Sequence, residues 1–453
     1  MFVAPRNLLI LVACALGSVI VFVDSTVVNV ALPAMQRDLG GGLALQQWVV
    51  DAYLLTLGSL LLVGGSLGDL FGPRRLFLIG IISFGATSVL CAAAPDGTLL
   101  ILGRGLQGVA GAILTPAGLA VIAATFSGEA RGAAIGTWTA WTGIAFVIGP
   151  LIGGWLVTHA SWRWVFIINV PIAIATATLV AYAVPKRPPN PDRARVDFVG
   201  ATLCVLGLGG PVFALIEEPR RGFGDWLILT TFFGGIAFLA AFISWEKRST
   251  QPMLPLRLFS HRNFSFANIE TLTVYAGLST LTFFLVIFLQ QLAGYSALRS
   301  GFALVPITAV MFFLSPRVGR LSMRYGPRAF MSVGPLIAAV ALLGFARLRP
   351  GFSYWYELLP PLIVFSVGLS MVVAPLTATV LADAGENDAG IASGVNNAVA
   401  RVAGLLGIAV VGALVAGSSN KLDVGGYHMA MAITTGLVAT GGVIGFVGIR
   451  NRV

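Results

Sequence analysis

The sequence predicts an all-α integral membrane protein. Two six-helix bundles related by an internal repeat flank two inserted helices, fourteen transmembrane helices in all. Three observations predict this. The chain of 453 residues is 57% hydrophobic and only 10% charged, with a mean hydropathy of +0.91, more apolar than a soluble core requires. Its apolar runs reach the length of about 20 residues needed to cross about 30 Å of hydrocarbon as a helix. One polar turn between such runs, GSLGDLFGPRR at Gly65 to Arg75, returns as GRLSMRYGPR at Gly319 to Arg328. Gly65, Leu67, Gly72, Pro73 and Arg74 recur as Gly319, Leu321, Gly326, Pro327 and Arg328 at one constant offset, the mark of a duplicated unit.

In order, the predicted spans are 8–32, 46–67, 76–95, 98–124, 132–157, 163–184, 198–215, 225–245, 264–290, 300–321, 329–347, 356–381, 389–416 and 427–449. Gly72 and Pro73 end one helix and start the next. Most connections are short. The exceptions, Pro185 to Asp197 and Glu246 to Asn263, are charged and contain proline. They flank two apolar segments whose removal leaves six spans on each side, with the repeated turn after the second span of each set. The expected domains are 1–184, a linker with two inserted helices at 185–262, and 263–453. The inserted spans carry no charge, so a peripheral position is expected for them.

The net charge of +10 invites a nucleic-acid reading. Basic residues retained on cytoplasmic loops explain it better. With both termini on the cytoplasmic side of a bacterial inner membrane, most of the 28 Lys and Arg fall on inner segments. Outer loops keep a minority, such as Arg37, Arg163, Arg299 and Lys421. Cys14, Cys91 and Cys204 stand alone in apolar runs, and His159, His261 and His428 lie far apart, so neither a disulfide framework nor a metal site is expected. The first apolar run is too long for a cleavable leader.

Ionisable residues inside a span are costly and mark function. Asp24 lies in the first span, about 12 residues or roughly 18 Å from its outer end. Asp51 sits near the outer end of the second span and Arg104 in the outer half of the fourth. Burial favours a protonated carboxyl and a neighbouring Arg the ionised one, so conformation-dependent pairing with Arg104 would load and release a proton. The competing reading is a permanent structural pair. Glu270 and Arg401 lie deep in the seventh and eleventh spans of the twelve-span frame and are expected to pair; cationic cargo binding at Glu270 is the alternative. In the fifth repeat span, Gly149, Pro150, Gly153 and Gly154 permit close helix approach. Asp69 is placed at the inner surface, with Arg131 as its expected partner. Trp138, Trp141, Tyr275, Phe283 and Phe284 are candidates to line an apolar cavity, packing or lipid contact being the plainer role for each. Trp162 and Trp164 read as interface anchors.

These residues resemble the major facilitator superfamily, specifically its fourteen-helix drug/proton antiporter branch. The resemblance covers the whole chain. GSLGDLFGPRR is similar to the signature loop between helices 2 and 3, departing at Leu70 and Pro73, and its second copy has Met323 at the Asp69 position. GRGLQGVAGA matches the helix 4 motif with Arg104, Gln107 and Gly108. GIAFVIGPLIGG resembles the antiporter motif, with Ala145 where Gly is usual, and DSTVVNVALP resembles the helix 1 motif with Asp24, Thr26, Asn29 and Pro33. The resemblance implies alternating access between two bundles, powered by the proton gradient without another cofactor. It implies proton-coupling residues Asp24, Asp51, Arg104, Glu270 and Arg401, and gating residues Gly65, Asp69, Gly72, Arg74, Arg131, Gly149, Pro150, Gly153 and Gly154. Asn29, Gln107, Trp138, Trp141, Tyr275 and Phe283 are the candidate cavity set.

The expected activity is therefore proton-coupled export of hydrophobic or amphipathic, often cationic, drugs and toxic compounds by a monomer. Its partners are small amphipathic molecules, protons and the bilayer, with no nucleic acid. A dedicated exporter or flippase for one metabolite, peptide or lipid shares every motif. An integral-membrane enzyme would need clustered nucleophiles or ligands that the sequence does not show. A sensor or scaffold would leave the intramembrane charges without a use.

Overall fold

The computed structural model describes residues 5–186, 196–384, 388–416 and 420–451; the side chains of 5, 69, 129, 139, 140, 142–144, 146 and 147 lie outside the description. The secondary structure of the described residues is helical throughout. The first bundle comprises α1 (Pro5–Leu39), α2 (Gly42–Phe71), α3 (Pro73–Ala92), α4 (Gly97–Thr125), α5 (Gly128–His159), and the short α6 (Trp164–Ile167) running into α7 (Asn169–Ala183). The inserted pair is α8 (Phe198–Arg221) and α9 (Trp226–Arg248). The second bundle comprises α10 (Arg262–Ile287), α11 (Ala297–Tyr325), α12 (Pro327–Phe345), α13 (Leu359–Ala384), α14 (Ala389–Val415) and α15 (Val424–Gly448). Among the described residues 13 helices are long and apolar enough to cross a membrane, and α5 adds a helix of 32 residues. Taking α6 with α7, the helices follow the fourteen expected spans.

Helix ends obey local chemistry. Asp96, Asp197, Asp225, Ser296 and Asp423 cap α4, α8, α9, α11 and α15 by accepting from the amides of Leu99, Gly200, Leu227, Arg299 and Gly426. The Leu227 amide, then Arg221, hold the Asp225 carboxyl below the usual carboxylate range. The duplicated turn has the same backbone in both copies. Gly72 and Gly326 adopt φ of 85° and 87°, and Pro73 and Pro327 open the next helices at a position that needs no amide hydrogen.

We call the side bearing the Pro5 end of α1 the terminal face, and the opposite side the far face. The bundles are joined by hydrogen bonds that cluster at the far face. Gln290 donates to the Val30 carbonyl (2.9 Å), Gln291 to Gln36 Oε1 (3.0 Å) and Gln47 to the Ile408 carbonyl (3.1 Å). The first turn of α2 has no side-chain cap of its own. Asn420 of the other bundle supplies one: its carbonyl accepts from Leu43 N (2.9 Å), its Oδ1 accepts from Ala44 N (3.1 Å), and its Nδ2 donates to the Gly41 carbonyl (3.0 Å). A cap donated in trans makes the start of α2 depend on the other bundle. Beside it, α5 crosses α11. A Cβ at Gly154 would lie 2.7 Å from Leu298 Cα and 2.8 Å from the Ala297 carbonyl oxygen, and Gly301 faces the Pro150 carbonyl. Gly149 and Gly153 lie against Thr26 and Val27 of α1.

The inserted pair packs on the outside of both bundles. α8 packs on both α2 and α14 and so covers the seam between the bundles, whereas α9 packs on α8. α8 also runs on to Arg221, past the predicted end, so that Glu217 lies on it and accepts from Trp48 Nε1 of α2 (3.0 Å). Trp162 is 4% exposed and donates to Asp38 (2.8 Å), which corrects its reading as an interface anchor; Trp164, at 48%, stays exposed.

The α5–α11 crossing yields a test. Gly154→Leu overpacks it, a penalty of about 1–3 kcal/mol. A cysteine at Gln291, in a background lacking the native cysteines, should then react several-fold faster with a membrane-impermeant maleimide. Gly136→Leu, where an added Cβ meets nothing within 4 Å, should leave the rate unchanged. Equal rates in the two variants would show that the crossing does not hold the far face shut.

Candidate functional site

Asp24 lies past the middle of α1, on the side turned toward the interior of its own bundle, and is 0% exposed. Such a carboxylate must be met by donors, because no water is there to solvate it. Arg104 Nη1 of α4 reaches Asp24 Oδ2 at 2.6 Å. Gln107, one turn further along α4, and Asn169, at the start of α7, each donate to Asp24 Oδ1 at 2.9 Å. Arg104 also donates to Gln107 Oε1 (2.6 Å) and from Nε to the Val49 carbonyl of α2 (2.9 Å). Ser88 of α3 accepts from Gln107 (2.9 Å) and Asn169 (3.2 Å) and donates to the Phe84 carbonyl (2.7 Å). The guanidinium lies 4.2 Å from the Tyr53 ring centroid and 5.9 Å from that of Phe166. Five spans of one bundle thus close on a single ion pair.

The sequence reading singled out Asp24, Arg104 and Gln107 but missed Ser88, Asn169, Tyr53 and Phe166. Nothing in a lone Ser or Asn at helical spacing announces a partner on another helix. Gln107 belongs to this network and has no accessible surface, so its place in the cavity set is corrected. Phe283 is also sealed, at 0% exposure, edge-to-face on Phe284 (centroids 5.0 Å apart), because α10 turns that face into its own bundle. Of the remaining cavity candidates, Asn29, Trp138 and Tyr275 are half-buried and Trp141 is exposed. Trp138 Nε1 donates to Ser18 Oγ at 2.8 Å.

The expected Glu270–Arg401 pair does not form. Glu270 is sealed in the second bundle against α15, its Oε2 3.1 Å from where a Cβ of Gly445 would lie, and neither carboxyl oxygen has a partner among the described residues. Arg401 instead projects across the seam, its guanidinium 5.5 Å from the Phe22 ring centroid on α1. Helical periodicity decides this: α10 and α14 present these two positions to different neighbours. Asp51 is fully buried, and neither of its oxygens has a partner among the described residues. It shares a face of α2 with Gln47, Leu54 and Gly58, which meet Ile408, Gly404 and Arg401 of α14.

Of the proposed gating residues, Arg74 donates to the Ala181 carbonyl (2.8 Å) and Gly65 has open space around it. Arg131 donates to the carbonyls of Phe126 (3.1 Å) and Ala123 (2.7 Å), completing the end of α4. The expected contact with Asp69 lies outside the described residues. Among the described residues no group of His, Cys, Asp and Glu has the arrangement of a metal site.

The ion pair predicts a specific stability pattern. Arg104→Gln leaves Asp24 buried without its counter-charge, a loss of about 3–5 kcal/mol. Adding Asp24→Asn should recover part of it, so the double variant should melt in detergent at a higher temperature than Arg104→Gln alone. Additive losses would show that the two side chains do not act as a pair.

Comparison with known proteins places this architecture. A model of the Major Facilitator Superfamily matches residues 14–408. The puromycin resistance protein pur8 of Streptomyces alboniger is 35% identical over 468 residues, 99% of this chain and 92% of that one. The tetracenomycin C resistance and export protein of Streptomyces glaucescens is 34% identical over 413 residues, 90% of this chain and 75% of the other. A crystal structure of a bacterial homolog to the human lysosomal transporter Spinster, inward-facing and unoccupied, shares the fold with a TM-score of 0.70 at 17% identity, covering 98% and 97% of the two chains. A multi-pass helical chain with a duplicated six-helix plan, matched over most of its length by one family, belongs to the Major Facilitator Superfamily of transporters.

Proposed function

We propose that this chain is a proton-coupled antiporter that exports hydrophobic or amphipathic toxic compounds by alternating access. The observation that carries the reading is the Asp24–Arg104 clasp, a buried carboxylate bound by one cation and two amides at the junction of five spans. Protonating Asp24 cancels the charge that holds Arg104, Gln107 and Asn169 in place. A proton arriving there therefore changes the packing of the whole first bundle, which is the coupling an antiporter needs. The name of the Streptomyces glaucescens relative, which joins resistance with export, supports the direction of transport.

The loop biases favour a cytoplasmic terminal face. The far-face hydrogen bonds then close the protein to the outside, with cargo entering from within. The turn at Gly65 to Arg75 and the glycines of α5 act in switching, because they sit where helices meet or change direction. A dedicated exporter of one compound is the second reading, favoured by relatives that are each named for a single antibiotic. We read Asp51 and Glu270 as further proton-accepting positions, because both are buried carboxyls without a hydrogen-bond partner among the described residues.

Asp24→Asn keeps the size of the side chain and one of its two acceptor oxygens, and removes the carboxylate charge that Arg104 answers. In proteoliposomes it should abolish efflux driven by an imposed pH gradient while leaving the monodisperse, folded protein intact. Undiminished proton-driven efflux would remove Asp24 from the mechanism.

A further inference from the structure

We propose that Arg401 is the anchor of a cargo site between the two bundles, and that this site selects amphipathic compounds bearing an acid rather than cationic ones. The proposal rests on the export reading above and specifies its substrate class.

Arg401 lies about 12 residues into α14, roughly 18 Å along the helix and near its middle. Its Cβ sits 3.1 Å from where a Cβ of Gly58 would be, so the side chain leaves α14 at the crossing with α2. The guanidinium continues past α2 to the Phe22 ring of α1, 5.5 Å from its centroid. Arg401 therefore stands where helices of both bundles converge. Phe22 is half-buried, as are Tyr275 of α10 and Trp138 of α5, which is tied to Ser18 one turn away from Phe22.

What Arg401 lacks is an acceptor. A guanidinium has five N–H donors and is never deprotonated in a protein. Among the described residues no carboxylate forms a salt bridge with it, although five other ion pairs are present. Its nitrogens are not sealed either, since none belongs to the buried polar atoms without a partner. Arg401 is half-buried, so its donors keep some accessible surface at the seam. The ring of Phe22 faces the cation but accepts no set of N–H bonds, and a cation–π contact is weaker than a charge-assisted hydrogen bond.

The other intramembrane charges do not offset it. Asp24 is neutralised by Arg104 inside the first bundle. Glu270 is turned away, against α15. Asp51 lies two turns from Gly58 along α2, and its carboxyl oxygens make no hydrogen bond to Arg401 or to any other described residue. Among the described residues, the seam thus carries a positive charge without an ion-pair partner beside aromatic faces. An aromatic or aliphatic body with a carboxylate or sulfonate meets a bidentate donor and apolar walls there. A cationic body meets like charge in a poorly screened setting.

The test compares two fluorescent probes of matched shape, pyrenebutyrate and pyrenebutylamine. Equilibrium binding to the purified full-length protein in detergent is measured first, then counterflow in proteoliposomes, which needs no pH gradient. The wild type should bind and exchange the acid in preference to the amine. Arg401→Gln should weaken binding of the acid about tenfold or more, as loss of a charged hydrogen bond does, and leave the amine unchanged or bound more tightly. Arg401→Lys, which keeps the charge, should retain part of the preference and guards against misfolding of the neutral variant. Preference of the wild type for the amine, binding of neither probe, or an acid-to-amine ratio unchanged in Arg401→Gln would each overturn the proposal. If acid selectivity holds in binding and counterflow but a pH gradient drives no flux, the antiport reading fails and the site stands.

Discussion

The first bundle depends on one requirement: a carboxylate placed where water does not reach must be answered by protein donors. Asp24 is answered by Arg104, Gln107 and Asn169, and these in turn need Val49, Ser88 and Phe84 to complete their own bonds. The network consequently ties α1, α2, α3, α4 and α7 to a single charge. Such a pair is weak evidence for stability, since desolvation consumes much of its attraction. Its consequence is specificity of arrangement. Removing the charge alters the hydrogen-bond demands of five spans at once.

The second bundle is built differently. Glu270 has no donor among the described residues, and Arg401 has no acid. The internal repeat duplicates the helical frame and the glycine–proline turn but not the polar interior. Gly72 and Gly326 keep almost the same φ because both turns require a left-handed residue before a proline. The charges carry no such geometric obligation, so the two halves hold different chemistry on one scaffold.

Between the bundles, contact is made largely by neutral groups that cost little to separate. The far-face joints are amides bonded to carbonyls or to other amides, together with backbone approaches at Gly154 and Gly301. Neutral hydrogen bonds of this kind contribute about 1 kcal/mol each. The trans cap from Asn420 is an example: once it withdraws, Leu43 and Ala44 at the start of α2 can be served by water. α8 lies along the same seam and is bonded to α2 through Trp48 and Glu217 while only packed on α14. It covers the edge of the interface between the bundles.

The fold class, the span order, the duplicated turn and the buried status of Asp24 and Arg104 were legible in the sequence. Each follows from a local rule: hydrocarbon thickness sets span length, glycine and proline set the turn, and charge is expelled from lipid unless it is paired. The identity of the partners was not legible, because it depends on how helices distant in sequence rotate against one another. A rotation of one position, about 100°, carries a side chain from one neighbour to the next. That angle put Asn169 and Ser88 on Asp24, turned Phe283 and Gln107 inward, sent Glu270 toward α15, and pointed Arg401 across the seam to Phe22. The chain alone determined which residues must be satisfied within the membrane. Only the packing of the helices decided by what, since side-chain neighbours across bundles are set by tertiary geometry and leave no local periodic signal.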